Sequence, residues 1–260
     1  MNHKLIVAAT LGLVLTSSAL TSSVVLAAEP VEDPIYTSSA ELGVLFKSGN
    51  TRSTDLKAGY DFKYEKDLWR STLAFDLLVK KADKTQTDGS TDFETTDQKW
   101  IVESKTNYTL NKANKSYIYG DLAHEDSKTG NFDTQSSIST GWGREWYKNE
   151  VASFYADFGP GYKRDVLKNT NETKTAFIIQ AQVLYLRNIN KNVLFKQVLS
   201  AKYAPKTGAN SKYKAETSIT TKLIETLQLK FSFKIDHNTE VAAGNERTDT
   251  QTAITLVYSF

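Results

Sequence analysis

Seven lysines in the C-terminal third recur at spacings that place them on one side of neighbouring extended segments. They are Lys196, Lys202, Lys212, Lys214, Lys222, Lys230 and Lys234, with Glu216 and Asp236 as the main acidic residues among them. Even separations within a strand keep side chains on one face. A wall of ammonium groups along a watery passage favours anions, so the chemistry expected here is electrostatic sorting of a small anionic solute. Covalent chemistry has thin support. His124 stands near Ser127 and His237 near Ser232, the elements of a phospholipase-type site, but a nucleophile needs a base and an orienting group in contact. No lipase-like pattern surrounds either histidine, and both read as solvated residues at strand ends. Asp83, Asp88, Asp92, Glu94 and Asp97 supply hard oxygen ligands for Ca²⁺ or for divalent bridges to lipopolysaccharide. Their spacing matches no defined calcium loop, and Lys80, Lys81 and Lys84 lie among them, so a solvated polar loop is expected. With no Cys, disulfides, thiolate nucleophiles and zinc–thiolate sites are excluded. The sequence therefore reads as a protein that is not an enzyme and holds no cofactor. Its formal net charge of +2 gives no support for nucleic-acid binding.

The elements that must position the lysines are strands. Alternation with period two recurs along the chain. It runs through 40–47, 56–64, 69–80 and 100–108, then near 116–125, 135–147, 151–164, 174–187, 193–204, 212–223, 228–237 and 248–260. That is about twelve strands, each near the ~10 residues that cross a bilayer when tilted. Phase is least defined around Tyr117-Ile-Tyr-Gly120, where either face could point outward. In the first half of the chain the inward charges are mixed: Glu41, Lys47, Asp55, Lys57, Asp61, Lys63, Arg70, Asp76, Lys80, Lys99, Glu103 and Lys105. Two readings of the lumen stay open, a basic-walled pore and a charge network that fills a narrow barrel.

Both ends suggest where such strands would sit. Met1-Asn-His-Lys4, an apolar run from Leu5 to Leu15 and the small residues Ala27 and Ala28 read as a secretory signal peptide over 1–27. Residues 28–36, with Pro30 and Pro34, read as a short periplasmic lead-in, and 37–260 as the barrel domain. At the other end Ile254, Leu256, Tyr258 and Phe260 alternate with smaller or polar residues. They look like the lipid face of a closing strand and an assembly signal for the barrel-assembly machinery. Mean hydropathy of −0.43 does not separate a soluble protein from a barrel, because a barrel averages a polar lumen with an apolar exterior.

Connections and aromatics favour the barrel. Short connections near 65–67, 111–115, 148–150, 188–192 and 224–227 alternate with longer polar ones near 81–96, 126–134, 165–173, 205–211 and 238–247, and of the odd-numbered connections only the first, at Ser48-Gly-Asn-Thr51, is short. Periplasmic turns and extracellular loops obey that parity, whereas Greek-key crossovers have no reason to. Tyr64, Trp69, Tyr108, Trp146, Tyr185, Phe195, Tyr258 and Phe260 then fall at periplasmic strand ends. Phe46, Trp100, Phe177, Tyr203 and Tyr213 fall at outer ends, giving two aromatic girdles.

Three glycine-based stretches add a family likeness: Gly43 to Thr51 (GVLFKSGNT), Gly141-Trp-Gly-Arg-Glu-Trp146 and Gly159-Pro-Gly-Tyr-Lys-Arg164. In order and spacing they resemble the YdiY-like family of uncharacterised, salt-induced-type bacterial outer-membrane proteins. The resemblance runs from about residue 36 to the end; it implies an outer-membrane barrel and brings no catalytic residues. Read physically, Gly141 with Gly143 and Gly159 with Gly161 mark close backbone approach or room for a large neighbour, with Tyr147, Tyr155 or Tyr162 as candidates to fill it. The expectation is an all-β, closed, antiparallel up-and-down transmembrane barrel in the cell outer membrane, a narrow porin-like channel favouring anions. Its partners would be outer-membrane lipid and lipopolysaccharide, the assembly machinery and a small anionic solute. The alternative is a non-conducting structural or envelope-stress barrel that contacts lipopolysaccharide or other surface partners.

Overall fold

A computed structural model describes residues 35–260, apart from 48–52, 86–90, 114, 129–130, 169 and 242–245. The signal peptide expected at 1–27 and nearly all of the lead-in lie outside the described residues. Tyr36, the last residue of that expected lead-in, already belongs to the first strand.

The strands are β1 (Tyr36–Lys47), β2 (Ser53–Lys66), β3 (Trp69–Thr85), β4 (Thr91–Asn111), β5 (Ser116–Ser127) and β6 (Phe132–Lys148). They continue as β7 (Ala152–Leu167), β8 (Thr173–Asn190), β9 (Val193–Tyr203), β10 (Lys212–Lys222), β11 (Leu227–Asn238) and β12 (Thr248–Ser259). Each pairs antiparallel with its sequence neighbours, and β12 returns to β1 through Ser39↔Ser259 to Leu42↔Leu256 to close the barrel. Closure satisfies the backbone donors and acceptors that an open sheet would leave at its edges.

Side chains divide by parity into two unlike faces. Leu42, Leu73, Phe75, Leu122, Ile138, Phe158, Phe177, Leu199, Phe231, Ile254 and Leu256 all point outward and are exposed. Glu41, Lys57, Asp157, Lys163, Asp165, Gln180 and Lys212 are buried inside. An apolar exterior around a charged interior inverts the order of a water-soluble protein. Hydrocarbon is the solvent that makes such an exterior stable, so the barrel spans a membrane.

Local chemistry sets the turns. Asp67 and Lys115 take positive φ (56° and 53°) in the tight reversals after β2 and β4. The side-chain carbonyls of Asn111, Asn149 and Asn190 accept from Ala113 N, Val151 N and Asn192 N at 2.8–2.9 Å. Asparagine closes a turn this way by bonding the backbone two residues on.

The stretch 81–96 departs from the expected loop. β3 runs on to Thr85 and β4 begins at Thr91, paired from Lys81↔Thr95 to Thr85↔Thr91. A register shift between Lys80 and Lys81 marks where the hairpin leaves the apolar band. Beyond it the residues are mostly polar on both parities, so pairing continues without the hydrophobic alternation that marks a strand in the sequence. The undefined phase of β5 is also settled. Tyr117 and Tyr119 are 6% and 2% exposed and face inward, with Ile118 and Leu122 outward.

The glycine stretches make a close approach between β6 and β7. A Cβ on Gly141 would lie 2.2 Å from Phe158 O, and one on Gly159 would lie 2.0 Å from Thr140 O. Gly143 makes room for the ring of Tyr117, which would sit 2.5 Å from an added Cβ. The large neighbour is thus Tyr117 of β5 rather than Tyr147, Tyr155 or Tyr162; the unresolved β5 phase hid it. Gly159→Ala should force these two backbones apart and destabilise the barrel by about 1–3 kcal/mol, the usual cost of overpacking. Urea unfolding in micelles, followed by heat-modifiable gel migration, would measure the loss.

Candidate functional site in the barrel lumen

The lumen is wide at the end of the short turns and narrows towards the other. A cavity of about 580 Å³ opens among Ser39, Arg70, Lys105, Tyr155, Asp157 and Lys230. It shares Asp76, Glu103, Gln182, Glu216 and Lys234 with a second space of about 150 Å³ farther out, lined also by Lys57, Lys202 and Lys214. Beside that lies a recess of only about 30 Å³ between Glu125, Lys163 and Lys212. Ala204 and Ala209, in the connection after β9, pack against Ala176 and Ile178 of β8 and narrow the outer end further.

Ion pairs span the passage. Lys214 on β10 donates to Glu103 Oε1 on β4 at 3.2 Å. In a ring of twelve strands these two are six apart (10 − 4), on opposite walls. Lys212 reaches Glu125 at 2.7 Å and Gln135 at 2.6 Å, and Lys99 also holds Glu125 at 2.8 Å. Lys105 bridges Asp157 and Gln182, both at 2.6 Å, with its ammonium 4.6 Å from the Tyr119 ring centre. Tyr117 donates to Asp157 at 3.2 Å.

Four of the seven predicted lysines carry acidic partners. Besides Lys212 and Lys214, Lys230 contacts Glu41 at 3.0 Å, and Lys234 contacts Glu216 at 3.3 Å and Asp76 at 3.9 Å. Lys57 completes the Glu41 cluster. Lys202 donates to Ser137 Oγ at 2.7 Å, and Lys196 lines the wide cavity. Lys222 is exposed at a strand end and its backbone N–H bonds Asn192 O at 2.8 Å. The lysines share a face, as their spacing predicts, but four of the seven are met by acids from opposite or nearby strands rather than standing as a free basic wall.

The lumen also holds acids absent from the sequence reading: Asp121 and Glu125 on β5, and Asp157 and Asp165 on β7, which pair in part with Lys105, Lys163 and Lys212. Alternation does carry them. Once Ile118 and Leu122 point outward, Asp121 and Glu125 must point inward.

The serine–histidine pairs that the sequence disfavours lie on opposite faces of their strands. Ser232 is buried on the inner face while His237 bonds Thr248 Oγ1 at 2.8 Å; Ser127 also faces inward, away from His124. The even and odd faces of a strand separate them. His124 Nδ1 instead lies 2.8 Å from Ser136 Oγ, with the His124 ring against Trp100 at 5.0 Å. Of the acidic stretch, the side chains of Asp83, Asp88 and Asp92 lie outside the described residues, while Asp97 sits 3.8 Å from Lys80. No cluster of three or more metal-ligating side chains occurs among the described residues.

The final strand pairs as expected. Phe260 N–H donates to Ser38 O at 3.0 Å, and the Tyr258 and Phe260 rings meet edge-on at 5.0 Å. Trp69 with Tyr108 (4.8 Å) and Tyr185 with Phe195 (6.2 Å) extend that aromatic rim. The side chain of Phe46 lies outside the described residues.

With this architecture in view, residues 40–260 match the family described as protein of unknown function, DUF481. The chain belongs to the DUF481 family. It is 25% identical over 218 residues to the uncharacterised protein YdiY of Escherichia coli K12, covering 84% of this chain and 80% of that one. The likeness to YdiY-like proteins read from the glycine stretches is thereby borne out. Among solved structures, this DUF481 chain resembles an outer-membrane channel of Pseudomonas putida F1 at a TM-score of 0.49 and 8% identity, covering 86% of this chain and 94% of that one. It resembles the translocator domain of the autotransporter NalP of Neisseria meningitidis at 0.44 and 7%, covering 86% and 88%. At these levels a likeness says nothing about activity.

Within the DUF481 lumen one enclosed charge cluster is Glu41, 7% exposed, with Lys57 and Lys230. Glu41→Gln would leave the buried Lys57 ammonium without its carboxylate and Lys230 with Glu216 alone, at 3.7 Å, and should cost about 3 kcal/mol. Glu65→Gln, which removes only exposed pairs with Lys63 and Arg70, should cost less than about 1 kcal/mol. Denaturant midpoints of the two variants in the same micelles compare them directly.

Proposed function

We propose that this protein is an outer-membrane β-barrel that passes small polar solutes through a narrow lumen closed at mid-height by ion pairs. The supporting observation is the Lys214–Glu103 bridge between opposite walls, with continuous space on one side and a tapering space on the other. A closed barrel with an apolar exterior is the form that outer-membrane proteins take. An interior of paired charges beside cavities suits water and polar solutes and excludes apolar ones. Because Glu41, Asp76, Glu103, Glu125 and Glu216 face the lysines, selectivity at rest is weak. The anion preference of the lysines would emerge where their acidic partners are removed.

The same bridge favours a second reading, a non-conducting structural barrel in which the charges serve only to fill the lumen. Planar-bilayer recording separates the two. The channel reading expects small conductance steps from the wild-type protein and larger ones from a Lys214→Ala, Glu103→Ala double variant. Glu103→Gln should shift the reversal potential towards anions, and Lys214→Glu with Lys230→Glu towards cations. Silent records from folded wild-type protein and folded double variant alike would leave the structural reading standing.

A further inference from the structure

On the outward surface, β5, β6 and β7 bring three polar side chains into one register row. His124 pairs with Ser136, and Ser136 pairs with Arg164, through Ser136↔His124 and Ser136↔Arg164. Parity places all three on the lipid side, since Leu122, Ile138 and Tyr162, two residues along each strand, are exposed apolar groups of the outward band. Those three form the adjoining row, again paired across the strands as Leu122↔Ile138 and Ile138↔Tyr162. The polar row therefore lies where the apolar band ends, on the side of the connections that follow odd-numbered strands, which is the extracellular side of such barrels.

An outward groove of about 460 Å³ joins the two rows, running from Val102 and Leu122 to His124 and Arg164. Ser104 gives it depth, being a small side chain on the lipid face beside Leu122. Trp100, its ring tilted against that of His124 at 5.0 Å, packs beside it at the rim. The ring's Nδ1 is engaged with Ser136, whereas Arg164 has only a 3.5 Å contact with Thr173 Oγ1 for one of its nitrogens. A guanidinium with most of its donors free, a hydroxyl and an imidazole thus stand side by side above an apolar slot. That combination fits an oxyanion joined to a hydrocarbon chain.

We infer that this row and groove bind the phosphate and one acyl chain of a phosphorylated outer-leaflet glycolipid of the lipid A type. The inference rests on the outer-membrane placement proposed above. Arg164 supplies planar, charge-assisted hydrogen bonds to the phosphate, and Ser136 and His124 flank it. Leu122, Ile138 and Tyr162 receive the chain. A second outward groove offers an internal comparison. It holds about 380 Å³ between Ala181, Ala201 and Ala215 beneath His237, with no arginine in its lining. It has room for a chain but no guanidinium to hold the phosphate.

The test uses the folded, full-length mature barrel in detergent, titrated with diphosphoryl lipid A, its dephosphorylated counterpart or phosphatidylglycerol. Bound lipid is counted by native mass spectrometry. Diphosphoryl lipid A should bind best, and Arg164→Gln should weaken it roughly 10-fold or more, as expected for losing a hydrogen bond to a charged group. Arg164→Lys should recover part of the loss. Asp126→Asn, which removes an outward acid one row farther out, should tighten binding, and His237→Ala should leave it unchanged. Equal binding of the dephosphorylated lipid, or unchanged binding by Arg164→Gln, would overturn the site. Equal binding of phosphatidylglycerol would overturn its assignment to the glycolipid. Failure of the wild-type chain to give a heat-modifiable, detergent-inserted barrel would instead sink the outer-membrane reading, so the two failures are distinguishable.

Discussion

The structure depends on one constraint, that in hydrocarbon every backbone N–H and C=O must find a partner within the protein. A helix meets it within one segment, and strands meet it only as a ring. The pairing of β12 with β1 is therefore the condition under which the other strand pairs can stand in a membrane. Closure also fixes the two faces. Once the ring is complete, alternate residues have no choice but lipid or lumen, and a one-residue slip in a strand would exchange apolar for polar residues on the lipid side. The register seen at Leu42↔Leu256 and Glu41↔Val257 is the one that keeps Glu41 inside and Leu256 out.

The interior follows from the same constraint. A ring of this size leaves a lumen too wide for apolar side chains to fill and too narrow to leave opposite walls independent. Long flexible lysines span it, and carboxylates on the far wall complete them. This is how residues distant in sequence come together: Lys214 meets Glu103, 111 positions away, across the lumen, whereas closure of β12 on β1 brings Lys230 to Glu41, 189 positions away and two strands along the ring. The glycines of β6 and β7 do related work where the wall must bend inward. Gly143 admits the Tyr117 ring, and that ring places a hydroxyl on Asp157.

These relations explain what could be read from the sequence. Alternation shows the face of a residue because it is local, so the inward direction of the lysines and the outward band were legible. It fails where both parities look alike, as in Tyr117-Ile-Tyr-Gly120, and where both parities are mostly polar, as in the hairpin beyond Lys80. The partner of a charge is not local at all. Whether Lys214 meets water or Glu103 depends on how many strands close the ring and at what stagger. For that reason the basic wall was visible and its neutralisation was not. The row of His124, Ser136 and Arg164 was hidden for a similar reason: each residue ends an apolar face on its own strand, and only the register sets them side by side.

The two kinds of contact also differ in how readily they can be remade. Ladder hydrogen bonds have no substitute in lipid, so opening the ring would expose groups that nothing can satisfy. The lumen pairs stand beside cavities that water can occupy. At an effective dielectric near 20, charges about 4 Å apart attract by about 4 kcal/mol, and the cost of drying them offsets much of that. Exchanging Glu103 for water at the Lys214 ammonium is therefore nearly neutral, whereas exchanging Leu256 for water on the outer face is not. Any change in the width of this lumen must come from its lysine and glutamate arms, with the barrel wall held fixed. On the channel reading, adjustment of the passage would fall to the charged residues that line it.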